Sequence, residues 1–210
     1  RMLSILGLVI FFGVWEAAVR LGWVSHRSLN APSEVVETFI YKLTNANPDG
    51  STLPQHFFQS LKLALTSFII ATIIGVPLGW IMGYYKVADF LLNPLFEIIR
   101  PIPPIAWIPI VILTMGIGMS AKVFIIFVAA FVPNVINSYL GIRLTDATLI
   151  NVAKTFGASD WKIFTTVCIP SSMNMVFTGI RLSLNASWTT LVAAEMLASI
   201  RGLGYMIQMG

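Results

Sequence analysis

Few residues in this sequence are equipped for covalent chemistry. Its histidines are His26 and His56 and its one cysteine is Cys168, so neither a disulfide framework nor a Cys/His metal cluster is expected. No glycine-rich loop ends in Gly-Lys-Ser/Thr, the signature of a phosphate cradle, and the chain is not expected to be an enzyme. The informative residues are four charges set inside apolar sequence, Glu97, Arg100, Arg181 and Glu195. An ionised group at membrane depth is costly and must find a partner, a watery cavity or a charged solute. Glu97 and Arg100 are three residues apart on one helical face and can neutralise each other.

Around Arg181 and Glu195 the spacing says more. At about 100° per residue, Arg181, Asn185, Trp188, Val192 and Glu195 fall within an arc of about 80°, with Ser183, Ser187, Thr190 and Ala194 on the opposite side. Small residues suit close helix contact, so the bulky polar arc, with Thr189 near it, is the better candidate for facing a watery cavity or a solute. Arg181 and Glu195 are about 21 Å apart along a straight helix, so each needs a different partner. The alternative is that both charges serve structure by pairing with neighbouring helices.

The elements that must position these groups follow from composition. Of 210 residues, 57% are hydrophobic and 10% charged, and the mean hydropathy is +0.83. A soluble domain carries about a quarter of its residues as Asp, Glu, Lys and Arg, so this is a membrane protein. The net charge of +4 comes from basic residues scattered singly, with no patch for nucleic acid. Five stretches approach or exceed the roughly 20 apolar residues a crossing helix needs: residues 2–19, 63–85, 90–118, 123–142 and 171–197. The expected fold class is an all-α polytopic membrane protein. The first stretch is not read as a cleaved signal peptide, because the rest of the chain is already polytopic. Arg1 is not an initiator methionine, and the true N-terminus is expected upstream.

Residues 21–60 are the most polar stretch. Val35, Val36, Phe39, Ile40 and Leu43 recur at helical spacing opposite Glu34, Glu37 and Lys42, as in an amphipathic helix on the membrane surface. Asn47-Pro48-Asp49-Gly50 reads as a turn. His26 and His56 lie in this segment and are expected to be solvated. Charge does not orient the chain: with the N-terminus inside, Arg1, Lys86, Arg143, Lys154, Lys162 and Arg181 face in, and Arg20, Arg27, Lys42, Lys62, Lys122 and Arg201 face out.

Within the second span, Gly75, Gly79 and Gly83 make a small-residue strip for helix packing, and Pro77 is expected to kink it. In the third, Pro101, Pro103, Pro104 and Pro109 remove backbone donors, and irregular backbone at that depth must be buried in protein or face a watery cavity.

After the fourth span comes Asn151-Val152-Ala153-Lys154-Thr155-Phe156-Gly157-Ala158-Ser159-Asp160-Trp161-Lys162. Gly157 permits a sharp reversal, and Ser159 and Asp160 can start a second short helix. Two short helices meeting at a glycine form a knuckle, with Phe156 closing one arm and Trp161 and Phe164 on the other.

This segment resembles the loop named for its Glu-Ala-Ala triplet in permease subunits of bacterial ATP-binding cassette importers. Gly157 is followed after nine residues by Val167-x-Ile169-Pro170, and Ala153 holds the last alanine place, whereas Asn151 and Val152 depart from the triplet. Arg100-Pro101-Ile102-Pro103-Pro104 is similar to a segment of the nitrate, sulfonate and taurine branch. So are Gly179-Ile180-Arg181-Leu182, Trp188, Ala194-Glu195-Met196 and Gly202-Leu203-Gly204-Tyr205. Asn174 replaces a proline often found after the loop.

The resemblance implies an importer permease fold in the bacterial cytoplasmic (inner) membrane, as one transmembrane domain over residues 1–210, with a sixth span beyond the end of this chain. It places residues 21–60 outside the cell and residues 145–170 inside as the coupling loop, with Ala153, Lys154, Phe156, Gly157, Ala158, Ser159, Asp160 and Trp161 meeting an ATPase. It implies a homodimer, two cytoplasmic ATPase subunits that hold the ATP and Mg, and an extracytoplasmic binding protein delivering a small, anionic solute such as a sulfonate, taurine or nitrate. No cofactor is expected in this chain itself. The path or gate set is Arg100, Pro101, Pro103, Pro104, Arg181, Asn185, Trp188, Thr189 and Glu195. A secondary transporter or channel working without ATP is the rival, but it predicts inverted repeats or an intramembrane carboxylate relay, and the sequence shows neither.

Overall fold

The computed structural model describes residues 2–24 and 29–209, so Arg1, His26, Arg27 and Gly210 lie outside the described residues. The chain divides into two compact units, residues 1–56 and 57–210.

In the first unit, α1 (Met2–Arg20) and α2 (Pro32–Thr44) are joined through Glu16. Its carboxylate accepts from Arg20 Nε at 2.5 Å, from the Ser33 amide at 3.1 Å and from Ser33 Oγ at 2.7 Å. The apolar side chains of α1 from Leu3 to Val14 are exposed, as a helix facing lipid requires. Pro32 opens α2 at a position where its missing amide hydrogen costs nothing, and Glu34 accepts the Ala31 amide at 3.1 Å. Val35, Val36, Phe39, Ile40 and Leu43 present the expected apolar face, all exposed.

One expectation for this segment needs correcting. His56 is not solvated: it is buried at 0% exposure, and Lys42 is buried too. Both turn onto Asp49, Lys42 through an ion pair and His56 through Nε2 at 2.9 Å from Oδ2. A buried cation needs a buried anion, and the turn at residues 47–50 supplies it. Burial alone would raise the Asp49 carboxyl, but the Lys42 ammonium, a backbone amide and His56 outweigh it and hold the carboxyl below its ordinary value.

In the second unit, α3 (Leu53–Tyr84), whose first residues belong to the first unit, is followed by α4 (Lys86–Ile99), a 3-10 turn (Pro104–Trp107) and α5 (Ile108–Met115). Then come α6 (Met119–Arg143), α7 (Ala147–Thr155), α8 (Asp160–Ile163), a π-helical turn (Phe164–Cys168), α9 (Ile169–Ala198) and α10 (Leu203–Met209). No strand occurs among the described residues. Among the described residues, four helices are long and apolar enough to cross a membrane, and a fifth span exists if α4 and the segment Pro104–Met115 count as one, bent by 88°. The irregular backbone expected from the prolines of the third span takes the form of this bend. Pro101, Pro103 and Pro104 cannot donate to the helical ladder, and the chain breaks where three donors are missing within four residues.

The glycine strip of α3 packs on α6. A Cβ at Gly79 would stand 2.5 Å from the Val135 carbonyl oxygen and 2.7 Å from Ser138 Cβ, and one at Gly83 2.8 Å from the Tyr139 carbonyl oxygen. Only hydrogen fits, so the backbones touch. Asn134, buried on α6, donates to Thr72 Oγ1 on α3 at 3.1 Å and to Ser183 Oγ on α9 at 2.9 Å. That amide joins three helices where lipid offers no competing partner. Leu63, Ile126, Leu191 and Ala194 belong to one buried apolar cluster farther along the same helices.

Candidate functional site

The knuckle between α6 and α9 is built by local rules. Asp146 caps α7 by accepting the Thr148 amide at 2.8 Å, and that hydrogen bond holds its carboxyl below the ordinary value. Gly157 ends α7 at φ +75°, a conformation that burdens any residue with a β-carbon. Its amide donates to the Lys154 carbonyl at 2.9 Å and the Ala158 amide donates back to Ala153 at 3.1 Å, the paired bonds of a Schellman stop. Ser159 then caps α8, its hydroxyl accepting the Lys162 amide at 3.4 Å.

Beneath this reversal the base is rigid. Ile142, Ile163, Phe164 and Cys168 are buried together, the Phe164 ring lies 4.9 Å from Tyr84 and 5.7 Å from Trp161, and Tyr84 Oη donates to the Asp160 carbonyl at 3.0 Å. Above it the tip is open. Phe156 is 86% and Trp161 64% exposed, Lys154, Gly157, Ser159 and Asp160 are exposed with them, and Ala153 and Ala158 are half-buried. Two large rings exposed on a fixed base make a surface suited to docking rather than to bond-making.

At the bend of the third span, Arg100 Nη1 donates to Glu97 Oε1 at 3.2 Å, both side chains about half exposed. The pair borders a cavity of about 220 Å³ shared with Met82, Phe96, Val135 and Tyr139. Pro101 and Pro103 are exposed and Pro104 half-buried. The turn Pro104–Trp107 packs against α9.

On α9 the two faces separate. Ser183, Ser187, Thr190 and Ala194 are buried, while Arg181, Asn185, Trp188 and Thr189 are exposed. Arg181 makes no ion pair among the described residues. Trp188 meets Phe57 edge-on at 6.5 Å, and Thr189 Oγ1 donates to the Asn185 carbonyl at 3.1 Å. Glu195 leaves this stripe and must be corrected: it is 0% exposed. It sits at the edge of the arc nearest the packing face, where α10 folds over it.

Residues 75–210 match the family described as binding-protein-dependent transport system inner membrane component. The chain belongs to this family. A probable ABC transporter permease protein of Brucella melitensis is 37% identical over 206 residues, covering 98% of this chain and 80% of the relative. The taurine transport system permease protein of Escherichia coli is 34% identical over 209 residues, 98% of this chain and 75% of that protein. The nitrate import permease protein of Synechocystis is 32% identical over 184 residues, 86% and 67% of the two chains. The chain is thus an ABC transporter permease, a multi-pass membrane protein in a family of transport subunits rather than of enzymes.

Sequence reasoning missed two parts of this permease. Tyr84 and Tyr85, at the end of α3, close over Phe164, and paired tyrosines ending a span were the available signal. Ser60 on α3 donates to Glu195, a pairing across 135 residues that no local pattern marks.

Proposed function

We propose that this permease forms the translocation path of an ATP-driven importer in the bacterial inner membrane, for a small anionic solute brought by a binding protein. A second copy completes the path, and two cytoplasmic ATPase subunits, which hold the ATP and Mg, dock on the knuckle. The observation that carries this reading is the exposure of Phe156 and Trp161 on a base fixed by Tyr84, Ile163 and Phe164. A push on such a tip moves its base without being absorbed in loop bending. That base continues through the π turn into α9 without a break in the helix, so displacement of the knuckle becomes displacement of the stripe Arg181, Asn185, Trp188 and Thr189. A guanidinium without an ion-pair partner among the described residues suits a stripe meeting taurine or nitrate, the solutes that relatives' names give. The bend at Arg100 to Pro104, which leads into the turn packed on α9, acts as the gate.

The test is reconstitution in vesicles with its cognate ATPase and binding protein, following taurine and nitrate uptake. Uptake should require ATP. Trp161→Ala and Phe156→Ala should weaken ATPase retention about tenfold or more, as loss of an interface anchor does, with the permease's melting temperature held. Uptake without ATP, or unchanged ATPase retention in both variants, refutes the proposal.

A further inference from the structure

At the end of α9 away from the knuckle, about 39 Å along the helix from Ile169, Glu195 and Ser60 are both 0% exposed. A carboxylate without water must be met by donors, and it is. Ser60 Oγ lies 2.7 and 2.8 Å from its two oxygens, and the Gly204 amide donates to Oε2 at 2.9 Å. Ser60 in turn accepts the Leu203 amide at 2.8 Å, so one hydroxyl joins α3, α9 and α10. The glycines make room for this. A Cβ at Gly202 would collide with the carboxylate, and one at Gly204 would stand 2.5 Å from the Val192 carbonyl oxygen. A fourth helix holds the same turn: Lys122, near the start of α6, donates from Nζ to Ser199 Oγ at 2.6 Å.

Resting on the importer reading above, we infer that Glu195 is the positioning residue of a latch that fastens the α9–α10 turn to α3, making the helix ends opposite the knuckle move as one body. The knuckle displaces α9 from one end only. If the far end of α9 were free of α3 and α10, ATP-driven movement of that end would not be passed to theirs. With the latch closed, α3 and α10 follow it.

Two measurements test this in the purified permease and the complete transporter. The Leu203 and Gly204 amides should exchange hydrogen about tenfold faster in Glu195→Gln, the order expected for losing a charged hydrogen bond. Ser60→Ala, the milder variant if Glu195→Gln folds poorly, should free Leu203 more than Gly204. Exchange in the α6–α9 core should stay at the parent rate in both. In vesicles, taurine or nitrate taken up per ATP hydrolysed should fall several-fold while hydrolysis persists, and Glu195→Asp, a methylene shorter, should restore little. Unchanged exchange at both amides overturns the latch, and so does a proportional fall of uptake and hydrolysis. If the parent takes up neither solute with ATP, the importer reading fails separately, and the exchange measurement still decides whether the latch exists.

Discussion

Gly157 shows how little one residue needs in order to matter. A Cβ there meets open space, yet φ is +75°, so any penalty is conformational and not steric. Gly157→Val should cost about 1–2 kcal/mol in the knuckle and lower ATPase retention, whereas Gly157→Asn should be tolerated better because asparagine enters this region more readily. Co-purification of the ATPase with each variant measures the difference, and equal retention by valine and glycine would remove the knuckle's claim to a fixed shape. The residues of the reversal were legible in sequence because caps and stops obey local rules: Asp146, Gly157 and Ser159 act within a few positions of themselves. Glu195 and His56 were not legible for the opposite reason. A helical wheel knows only its own helix, and what buries Glu195 comes from Ser60 and Gly204. His56 sits in a polar stretch and reads as wet until Asp49 and Lys42 are folded against it.

Among the elements, α9 offers the sharpest contrast. With Cys168 first replaced by Ser, cysteines at Asn185 and Trp188 should react with thiol reagents in a manner that follows the nucleotide state, while one at Ser187 stays protected. Ser187→Leu should instead lower yield or stability, since overpacking a close helix contact costs about 1 to 3 kcal/mol. Reactivity at 187 with silence at 185 and 188 would turn the stripe into a packing face. The segment between α2 and α3 makes a claim about pH. The Asp49 carboxyl is held below its ordinary value of 3.8, so the folded state binds its proton less readily than the unfolded chain. Its contribution to stability is therefore present above pH 3.8 and is lost as pH falls through the lower folded value. Protection of residues 45–52 from proteolysis should hold at neutral pH and fail only under acid, and Asp49→Asn should lose it throughout. The spans themselves were legible because apolar length is a direct physical requirement of the bilayer. The 88° bend was not: prolines announce that a helix breaks, but the angle is set by what the two arms pack against.

For the whole molecule, orientation is the property that charge counting left tied. The proposed function requires the knuckle to face the cytoplasm. A cysteine at Ser159, again with Cys168→Ser, should be labelled by an impermeant reagent in inside-out vesicles and not in intact cells; labelling in cells lacking an outer barrier would invert the topology. Resemblance supplied this where composition could not, because the information lies in a partner's surface and not in the chain's own solvation. One piece of the path from knuckle to membrane carries a different kind of consequence. The π turn at Phe164–Cys168 holds about one residue more than an α-helix would use for the same advance. It is a slack stitch in an otherwise taut rod. Deleting Thr165 or Thr166 would let the turn relax into ordinary α-helix with the faces of α9 still aimed where they are, whereas the same deletion beyond Cys168 would swing every later side chain by about 100°. Tip and membrane helix can therefore lose one residue between them within this turn without losing their common bearing.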